Sequence, residues 1–129
     1  MTRSILLVVL ATACIAKPPV TGHRDTHVTA AHALTQRYAT SRFSAWHIRA
    51  TAGGSDCAVL ILQTGIILDD SMIEAMHYGA GSYDTYSGGM QRFMREHAFR
   101  AMAYRDVSGR IWTYGDVASD EAEALVPCR

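Results

Sequence analysis

The spacing of apolar residues predicts one helix followed by two strands in the first half of the chain. Between residues 25 and 38, ring-bearing and apolar side chains recur at intervals of four, three and four, which places them on one stripe of a helix. Residues 45–51 alternate between apolar and polar, the pattern of a half-buried strand. Residues 57–62 are apolar throughout, so we expect a central strand covered on both faces, with a bulge or bend at Gly65 before the apolar run resumes at 66–68. The helical stripe consists of His27, Ala31, Leu34 and Tyr38.

Two short helices are predicted in the middle of the chain. Ser71 and Glu74 have the spacing of a capping box, so we expect the first of these helices to begin at about Met72. Gly79 is expected to end it in the left-handed conformation. Apolar residues at helical spacing predict the second short helix over residues 90–97.

A hairpin is predicted near the end of the chain. Residues 99–105 and 110–114 have strand patterns, and the intervening 106–109 has the composition of a tight turn. Residues 115–129 leave room for one helical turn. The order of helix, two strands, two helices and two strands predicts an α+β domain, with a small antiparallel sheet of about four strands and two or three helices packed on one of its faces.

Length and charge restrict the class of protein. The chain has 129 residues, enough for one domain at roughly 100–200 residues each. Its 12 basic and 12 acidic side chains balance, which argues against a dedicated nucleic-acid binder. Hydrophobic residues make up 49 % of the chain, so a folded state is expected rather than a disordered one.

The first sixteen residues have the layout of a secretory signal peptide. Arg3 precedes an apolar run of 12 residues, Ile5 to Ala16. As a helix this run is about 18 Å long, shorter than the roughly 30 Å hydrocarbon core of a bilayer, so it cannot serve as a permanent span. The alternative, an N-terminal helix of the folded domain, lacks the polar stripe that would face water.

Two processing routes are open at the end of this segment. Residues 11–13, Ala-Thr-Ala, fit ordinary cleavage after a triplet of small residues. Together with Cys14 they resemble the lipobox of bacterial lipoproteins, with Ala11 where that family usually carries leucine. The resemblance implies cleavage before Cys14 and a lipid anchor on it, and we favour this route. The predicted segments are a signal peptide over 1–13, an extended tether over 14–23 and a single domain over 24–129.

The number of cysteines also favours lipidation of Cys14 over ordinary cleavage. Lipidation of Cys14 would leave Cys57 and Cys128 as an even pair in an oxidising compartment, so we expect a disulfide between them. Closing a loop of about 70 residues would contribute roughly 4 kcal/mol on the chain-entropy model. The alternative is a buried free Cys57 with Cys128 in a frayed end.

The histidines offer a metal-site hypothesis that we consider weaker than a structural one. His23 and His27 lie one helical turn apart, a spacing that suits zinc. His32 falls off that face, and no third ligand at a recognised spacing completes the set. We therefore expect surface histidines, with no metal and no cofactor.

Asp70, Glu74 and His77 form a possible acid/base cluster, because one turn of helix can bring them near each other. The simpler interpretation is electrostatic. Carboxylates at the start of a helix and an imidazole near its end are favoured by the helix dipole.

The loop from Tyr78 to Gly89 is the segment that most suggests binding. It is rich in glycine and tyrosine, and two arginines follow it. Tyrosine and arginine anchor many interfaces, so we expect a recognition surface for another envelope protein or a glycan. The alternative is that the tyrosines pack down over the sheet edge. The candidate binding residues are Tyr78, Tyr83, Tyr86, Arg92 and Arg95.

The sequence thus predicts a small, non-catalytic bacterial envelope lipoprotein, held to a membrane through Cys14 in the periplasm or outer membrane and acting through protein or glycan contacts. Cleavage without lipidation would instead give a soluble secreted protein. The competing function is a secreted enzyme or metal-binding protein that uses Asp70, Glu74 and His77.

Overall fold

A 20-residue helix precedes a four-stranded sheet. Two shorter helices lie between the second and third strands, and a third follows the fourth strand. The computed structural model describes residues 20–124 and 126–128, with the side chains of 20–23, 119 and 123 left aside. The helices are α1 Val20–Ala39, α2 Asp70–Tyr78, α3 Gly89–Glu96 and α4 Ser119–Glu123, and the strands are β1 Arg49–Gly53, β2 Val59–Gln63, β3 Ala101–Arg105 and β4 Ile111–Gly115. Single 3₁₀ turns lie at Ser44–Trp46 and Gly81–Tyr83.

The strands lie in the order β1-β2-β3-β4, and the described part of the chain has the α+β fold that the sequence predicts. The outer pairs are antiparallel, but β2 and β3 are parallel, so the sheet is mixed rather than antiparallel as expected. The reason is the connection. Helices α2 and α3 carry the chain back to the starting end of β2 before β3 begins, and such a crossover produces parallel neighbours.

Strand β2 is covered on both faces, as its continuous apolar run predicts. Leu60 and Leu62 are fully buried in the main core, which also holds buried residues of α1, α2 and α3. Val59 and Ile61 point to the other face, where they pack in a smaller cluster with Ala122 of α4. Our expectation of helices on one face was therefore incomplete, because the short α4 covers part of the second face.

Helix α1 buries the predicted stripe, since all four of its residues are at most 4 % exposed. The helix already includes residues 20–23, so the last four residues of the predicted tether are helical and not extended. The rest of that tether, the predicted signal peptide and Cys14 lie outside the described residues. Among the described helices, none is both long and apolar enough to cross a membrane.

The start of α2 differs in detail from the predicted capping box. Its N-cap is Asp69, whose Oδ1 accepts a hydrogen bond from the Met72 backbone N–H at 2.9 Å. Ser71 lies inside the helix and donates its hydroxyl to the same Asp69 oxygen at 3.3 Å. The end of α2 is as predicted, with Gly79 at a φ of 74°.

Strand β1 begins later than predicted, at Arg49, because a 3₁₀ turn occupies Ser44–Trp46. Its outer edge is covered. Thr35 Oγ1 of α1 accepts the Ala50 N–H at 2.8 Å and lies 3.0 Å from the Ala50 carbonyl. Further along the same edge, the Cys128 N–H donates to the Ala52 carbonyl at 2.7 Å. Helix α1 and the end of the chain therefore protect β1 from pairing with another strand.

Candidate functional site

The glycine- and tyrosine-rich loop is closed at its base by two glycines in contact. Gly79 and Gly89 both have positive φ, 74° and 84°. A Cβ atom on Gly89 would lie 2.5 Å from the Gly79 nitrogen and 2.5 Å from the His77 carbonyl oxygen, so only glycine fits there. Residues 79–89 therefore form a compact loop whose ends touch, an arrangement of the Ω type that often carries function.

One side of this loop is anchored in the core. The buried hydroxyl of Thr85 accepts a hydrogen bond from the Tyr38 hydroxyl at 2.8 Å. Tyr86 is partly buried, with its ring edge-on to Phe93 at 5.3 Å and its hydroxyl donating to Glu96 at 3.3 Å. The Tyr86 ring therefore packs inward and holds the loop in place, but its partners Phe93 and Glu96 belong to α3 and not to the sheet edge that the alternative named.

Tyr83 lies on the outer side of the loop. Its side chain is 39 % exposed, and its ring centroid is 5.9 Å from that of Trp46. Trp46 in turn packs edge-on against the buried ring of Phe43 at 4.9 Å. The exposed ring is thus backed by a row of aromatic side chains that continues into the core.

Tyr78, the last residue of α2, is 53 % exposed. Its ring lies nearly perpendicular to those of His77 and Tyr114, at 4.9 and 6.0 Å between centroids. It is therefore a second exposed ring with aromatic support.

His77 lies beneath Tyr78 and is only 2 % exposed. Its Nδ1 is hydrogen-bonded to the buried Tyr104 hydroxyl at 2.8 Å, and its ring stacks on Tyr114 at 3.7 Å between centroids. Burial lowers the pKa of His77 from 6.5 to about 4, so the imidazole is neutral at pH 7.

The three residues of the possible acid/base cluster do not form one site. Asp70 is bound on the surface by two donors of β4, Arg110 at 2.7 Å and Trp112 Nε1 at 2.8 Å. His77 bonds to Tyr104 instead, and within the described part of the chain no hydrogen bond joins any two of Asp70, Glu74 and His77. The three residues do share a helix face, but each has its own surroundings.

Sequence reasoning missed Trp112 and Tyr114, two partly buried residues on one face of β4. Tyr114 lies next to α2, because its ring stacks on that of His77 with 3.7 Å between centroids. Burial raises the pKa of Tyr114, and its interactions with Tyr78, Glu74 and Asp70 raise it further. The alternation in residues 110–114 predicted the strand. It could not show that α2 packs on this face, because that contact depends on the crossover between β2 and β3.

The two predicted arginines differ in what they offer to a partner. Arg92 is held by Glu96 one turn later, with 2.7 Å between Nε and Oε2. Arg95 is exposed, and its guanidinium has no ion pair or hydrogen bond to any residue that the structure describes. Arg95 is therefore the freer cation beside the loop.

The histidine prediction needs one correction. His27 is not on the surface but 4 % exposed, with Nε2 donating to the Ala98 carbonyl at 3.2 Å and its ring stacked on Phe99. His32 is exposed as expected, and the side chain of His23 lies outside the described ones. The part of the chain that the structure describes has no group of three or more His, Cys, Asp or Glu residues able to hold a metal ion.

Cys57 and Cys128 lie at disulfide distance, with 2.09 Å between the sulfur atoms and 5.9 Å between the Cα atoms. The pair joins the turn before β2 to the end of the chain, next to the edge of β1 that Cys128 helps to cover. This agrees with the expected disulfide.

No family model, curated protein or solved structure matches this chain. The candidate site is therefore identified only from the exposure and contacts of its side chains. The site consists of two exposed tyrosine rings, Tyr78 and Tyr83, with aromatic support beneath each. Near Tyr78, the exposed carboxylate of Glu74 has no hydrogen bond or ion pair within the described residues.

Proposed function

We propose that this protein is an exported lipoprotein of a bacterial cell envelope, whose domain binds a glycan through Tyr78 and Tyr83. The lipid anchor would be carried by Cys14, and the mature chain would remain attached to a membrane facing the periplasm. The competing partner for the same two rings is another envelope protein.

The export part of the proposal is supported by residues 1–14 and by the cysteines together. The lipobox-like segment favours Cys14 as the residue that would carry the anchor. The other two cysteines lie at disulfide distance, which suits an oxidising compartment. Several acyl chains on Cys14, as the lipoprotein resemblance implies, would attach the protein firmly, since each buried CH₂ contributes about 0.8 kcal/mol.

The observation that carries the binding part is the exposure of Tyr78 and Tyr83 on fixed supports. Tyr78 is 53 % exposed and Tyr83 is 39 % exposed, whereas Tyr38 and Tyr104 are buried. The backing by His77 and Tyr114 for one ring, and by Trp46 for the other, limits their freedom before a partner arrives. Less conformational entropy is then lost on binding, which is the advantage of preorganisation.

A glycan is favoured over a protein because of what lies beside the rings. Glu74 precedes Tyr78 by four residues on α2, so the carboxylate and the ring share one face of the helix. The apolar face of a sugar packs on an aromatic ring, and its hydroxyls donate to a free carboxylate. A protein interface of ordinary size would instead require a broad buried centre that contains few charged groups.

The experiment is co-sedimentation of the mature protein with insoluble peptidoglycan, followed by titration with soluble amino-sugar oligosaccharides. Replacing both Tyr78 and Tyr83 with alanine should weaken binding by at least about tenfold, the loss expected for two exposed anchors. The double replacement with phenylalanine is the matched control, because it keeps both rings and should retain most of the affinity. The phenylalanine variant should melt within about 3 °C of the parent, because it keeps the ring contacts. The alanine variant loses those contacts and should melt lower, so its binding is measured at a temperature at which circular dichroism shows it folded.

Unchanged retention by the folded double alanine variant would contradict the proposal. Absence of binding to any glycan, combined with capture of one envelope protein that depends on Tyr78 and Tyr83, would establish the competing partner.

A further inference from the structure

A polar crevice of about 370 Å³ lies at the end of the sheet where β2 and β3 finish. The two strands are parallel neighbours, so their carboxyl ends meet at one edge. The Thr64 N–H still donates to the Arg105 carbonyl at 3.0 Å, and the segments that follow stay joined by the Val107 N–H, which donates to the Ile66 carbonyl at 3.4 Å. The crevice therefore lies at the carboxyl ends of this parallel pair.

Arg49 provides an unpaired positive charge at this crevice. It lies directly opposite Gln63 across β1 and β2, so the guanidinium and the amide project from the same face. Arg49 is exposed, and its guanidinium has no hydrogen bond or ion pair to any described residue. Arg105, the neighbour of Gln63 on the other side, differs because its Nη2 donates to the Ala122 carbonyl at 3.0 Å.

His47 is held at the crevice by an uncommon backbone conformation. Its φ is 53°, which a residue other than glycine seldom adopts. The Gly65 N–H donates to the Trp46 carbonyl at 2.8 Å, which brings Gly65 against the ring. A Cβ on Gly65 would lie 3.3 Å from His47 Cδ2. Such conformations persist where surrounding contacts fix them, and they are found at binding sites.

The carboxylate of Asp106 lines the crevice as well, but it is already occupied. Its Oδ2 accepts the Leu68 N–H at 3.0 Å, and its Oδ1 accepts the N–H groups of Ser108 and Arg110 and the Ser108 hydroxyl. Burial would raise the pKa of Asp106, but these hydrogen bonds hold it below its ordinary value. Arg105 keeps its positive charge, because its hydrogen-bond partner is a neutral carbonyl. The charges of Arg49, Arg105 and Asp106 therefore sum to one positive charge around the crevice.

We infer that this crevice binds a small monocarboxylate, with its anionic group on Arg49 and Gln63 and its short apolar portion against Val107. Val107 lines the crevice and is 60 % exposed, so it offers an apolar wall beside the polar groups. A carboxylate carries one charge and is planar, which matches one guanidinium. A phosphate carries more negative charge than the one net positive charge of Arg49, Arg105 and Asp106 can balance. This site is separate from Tyr78 and Tyr83, so the inference does not depend on the proposed function.

The test is calorimetric or NMR titration of the full-length chain with butyrate, compared with neutral butyramide, with acetate and with inorganic phosphate. Butyrate should bind at one site, acetate more weakly because it does not reach Val107, and butyramide at least about tenfold more weakly, because it lacks the charge. Arg49→Gln should reduce butyrate affinity by a similar factor, whereas Arg49→Lys should keep part of it. Arg37→Gln is the matched control, an exposed arginine of α1 that does not line the crevice and whose loss should leave affinity unchanged.

Three results would overturn the inference. They are the absence of saturable binding of butyrate, equal binding of butyrate and butyramide, and unchanged affinity in an Arg49→Gln variant that melts like the parent. Tighter binding of phosphate than of butyrate would overturn the assignment to a monocarboxylate.

Discussion

The ring of His77 lies flat against the ring of Tyr114, with 3.7 Å between centroids and 14° between planes. One residue belongs to α2 and the other to the edge strand β4, so this stack fixes the helix on the sheet. It also positions Tyr78, the exposed ring that follows His77 and packs edge-on to both. The candidate site therefore depends on a buried neutral histidine.

This dependence predicts a loss of stability in mild acid. The pKa of His77 is about 4 in the folded protein and 6.5 in the unfolded chain, so below pH 6.5 the unfolded chain binds the additional proton. Stability should therefore fall as the pH is lowered from about 6.5 to about 4, by about 1–3 kcal/mol from this residue. Urea unfolding at a series of pH values measures it. In His77→Gln, the free energy of unfolding should lose this part of its dependence on pH. In His32→Gln, which changes an exposed residue of α1, that dependence should be the same as in the parent. An equal slope in all three proteins would contradict the assignment.

The contact between Gly79 and Gly89 at the base of the 79–89 loop predicts that alanine replacements at two glycines of the loop lower stability by unequal amounts. Gly89→Ala would place a Cβ 2.5 Å from backbone atoms of His77 and Gly79, in addition to the cost of its positive φ. Gly81 also has a positive φ, 68°, but nothing lies within 4 Å of its Cβ position, so Gly81→Ala isolates the conformational cost. We expect a loss of about 1 kcal/mol at Gly81 and at least about twice that at Gly89. Equal losses in thermal unfolding would show that the loop base can open without penalty.

The cysteine pair predicts a large stability difference between the oxidised and reduced protein. Its members are 71 residues apart, and closing such a loop contributes roughly 4 kcal/mol on the chain-entropy model. Replacing Cys57 and Cys128 with serine should lower the free energy of unfolding by about 2–4 kcal/mol. Adding a reductant should lower the free energy of unfolding of the parent and should not change that of the double variant. A parent that is insensitive to reductant would mean that the two thiols are not joined.

The hydrogen bonds of Thr35 at the covered edge of β1 predict that removing its hydroxyl lowers the free energy of unfolding. Its hydroxyl satisfies both backbone polar groups of Ala50, which is only 3 % exposed. Thr35→Val keeps the shape of the side chain but leaves those groups without a partner, so we expect a loss of about 1–3 kcal/mol in denaturant unfolding. Thr40→Val serves as the control, because the Thr40 hydroxyl is exposed and bonds only within α1 and its end. If both variants lose the same small amount, water replaces Thr35 at the edge.

Local elements of this fold could be predicted from sequence because each depends on neighbours along the chain. The stripe of α1, the apolar run of β2, the end of α2 at Gly79 and the hairpin between β3 and β4 all agree with the structure. The parallel pairing of β2 and β3 could not be predicted, because the intervening helices fit either direction of return. The N-cap at Asp69 was missed because two residues that could cap a helix, Asp69 and Ser71, compete within three positions.

The candidate site was predicted only in part, for the same reason. The tyrosines could be named from composition, but which rings stay exposed depends on what packs beneath them. Tyr86 meets Phe93 and turns inward, whereas Tyr83 meets Trp46 at the surface. Trp46 and Tyr114 come from distant strands or turns, and only the folded chain brings them to the loop.

The most direct test of the proposed envelope lipoprotein is mass spectrometry of the mature N-terminus, after expression of the full chain in a bacterial host. We predict that Cys14 is the first residue, that it carries acyl chains, and that Cys57 and Cys128 are joined. Replacing Cys14 with serine should abolish both the lipid and recovery in the membrane fraction. An intact protein that still begins with Met1 or Thr2, recovered from the cytosol with free cysteines, would contradict the account.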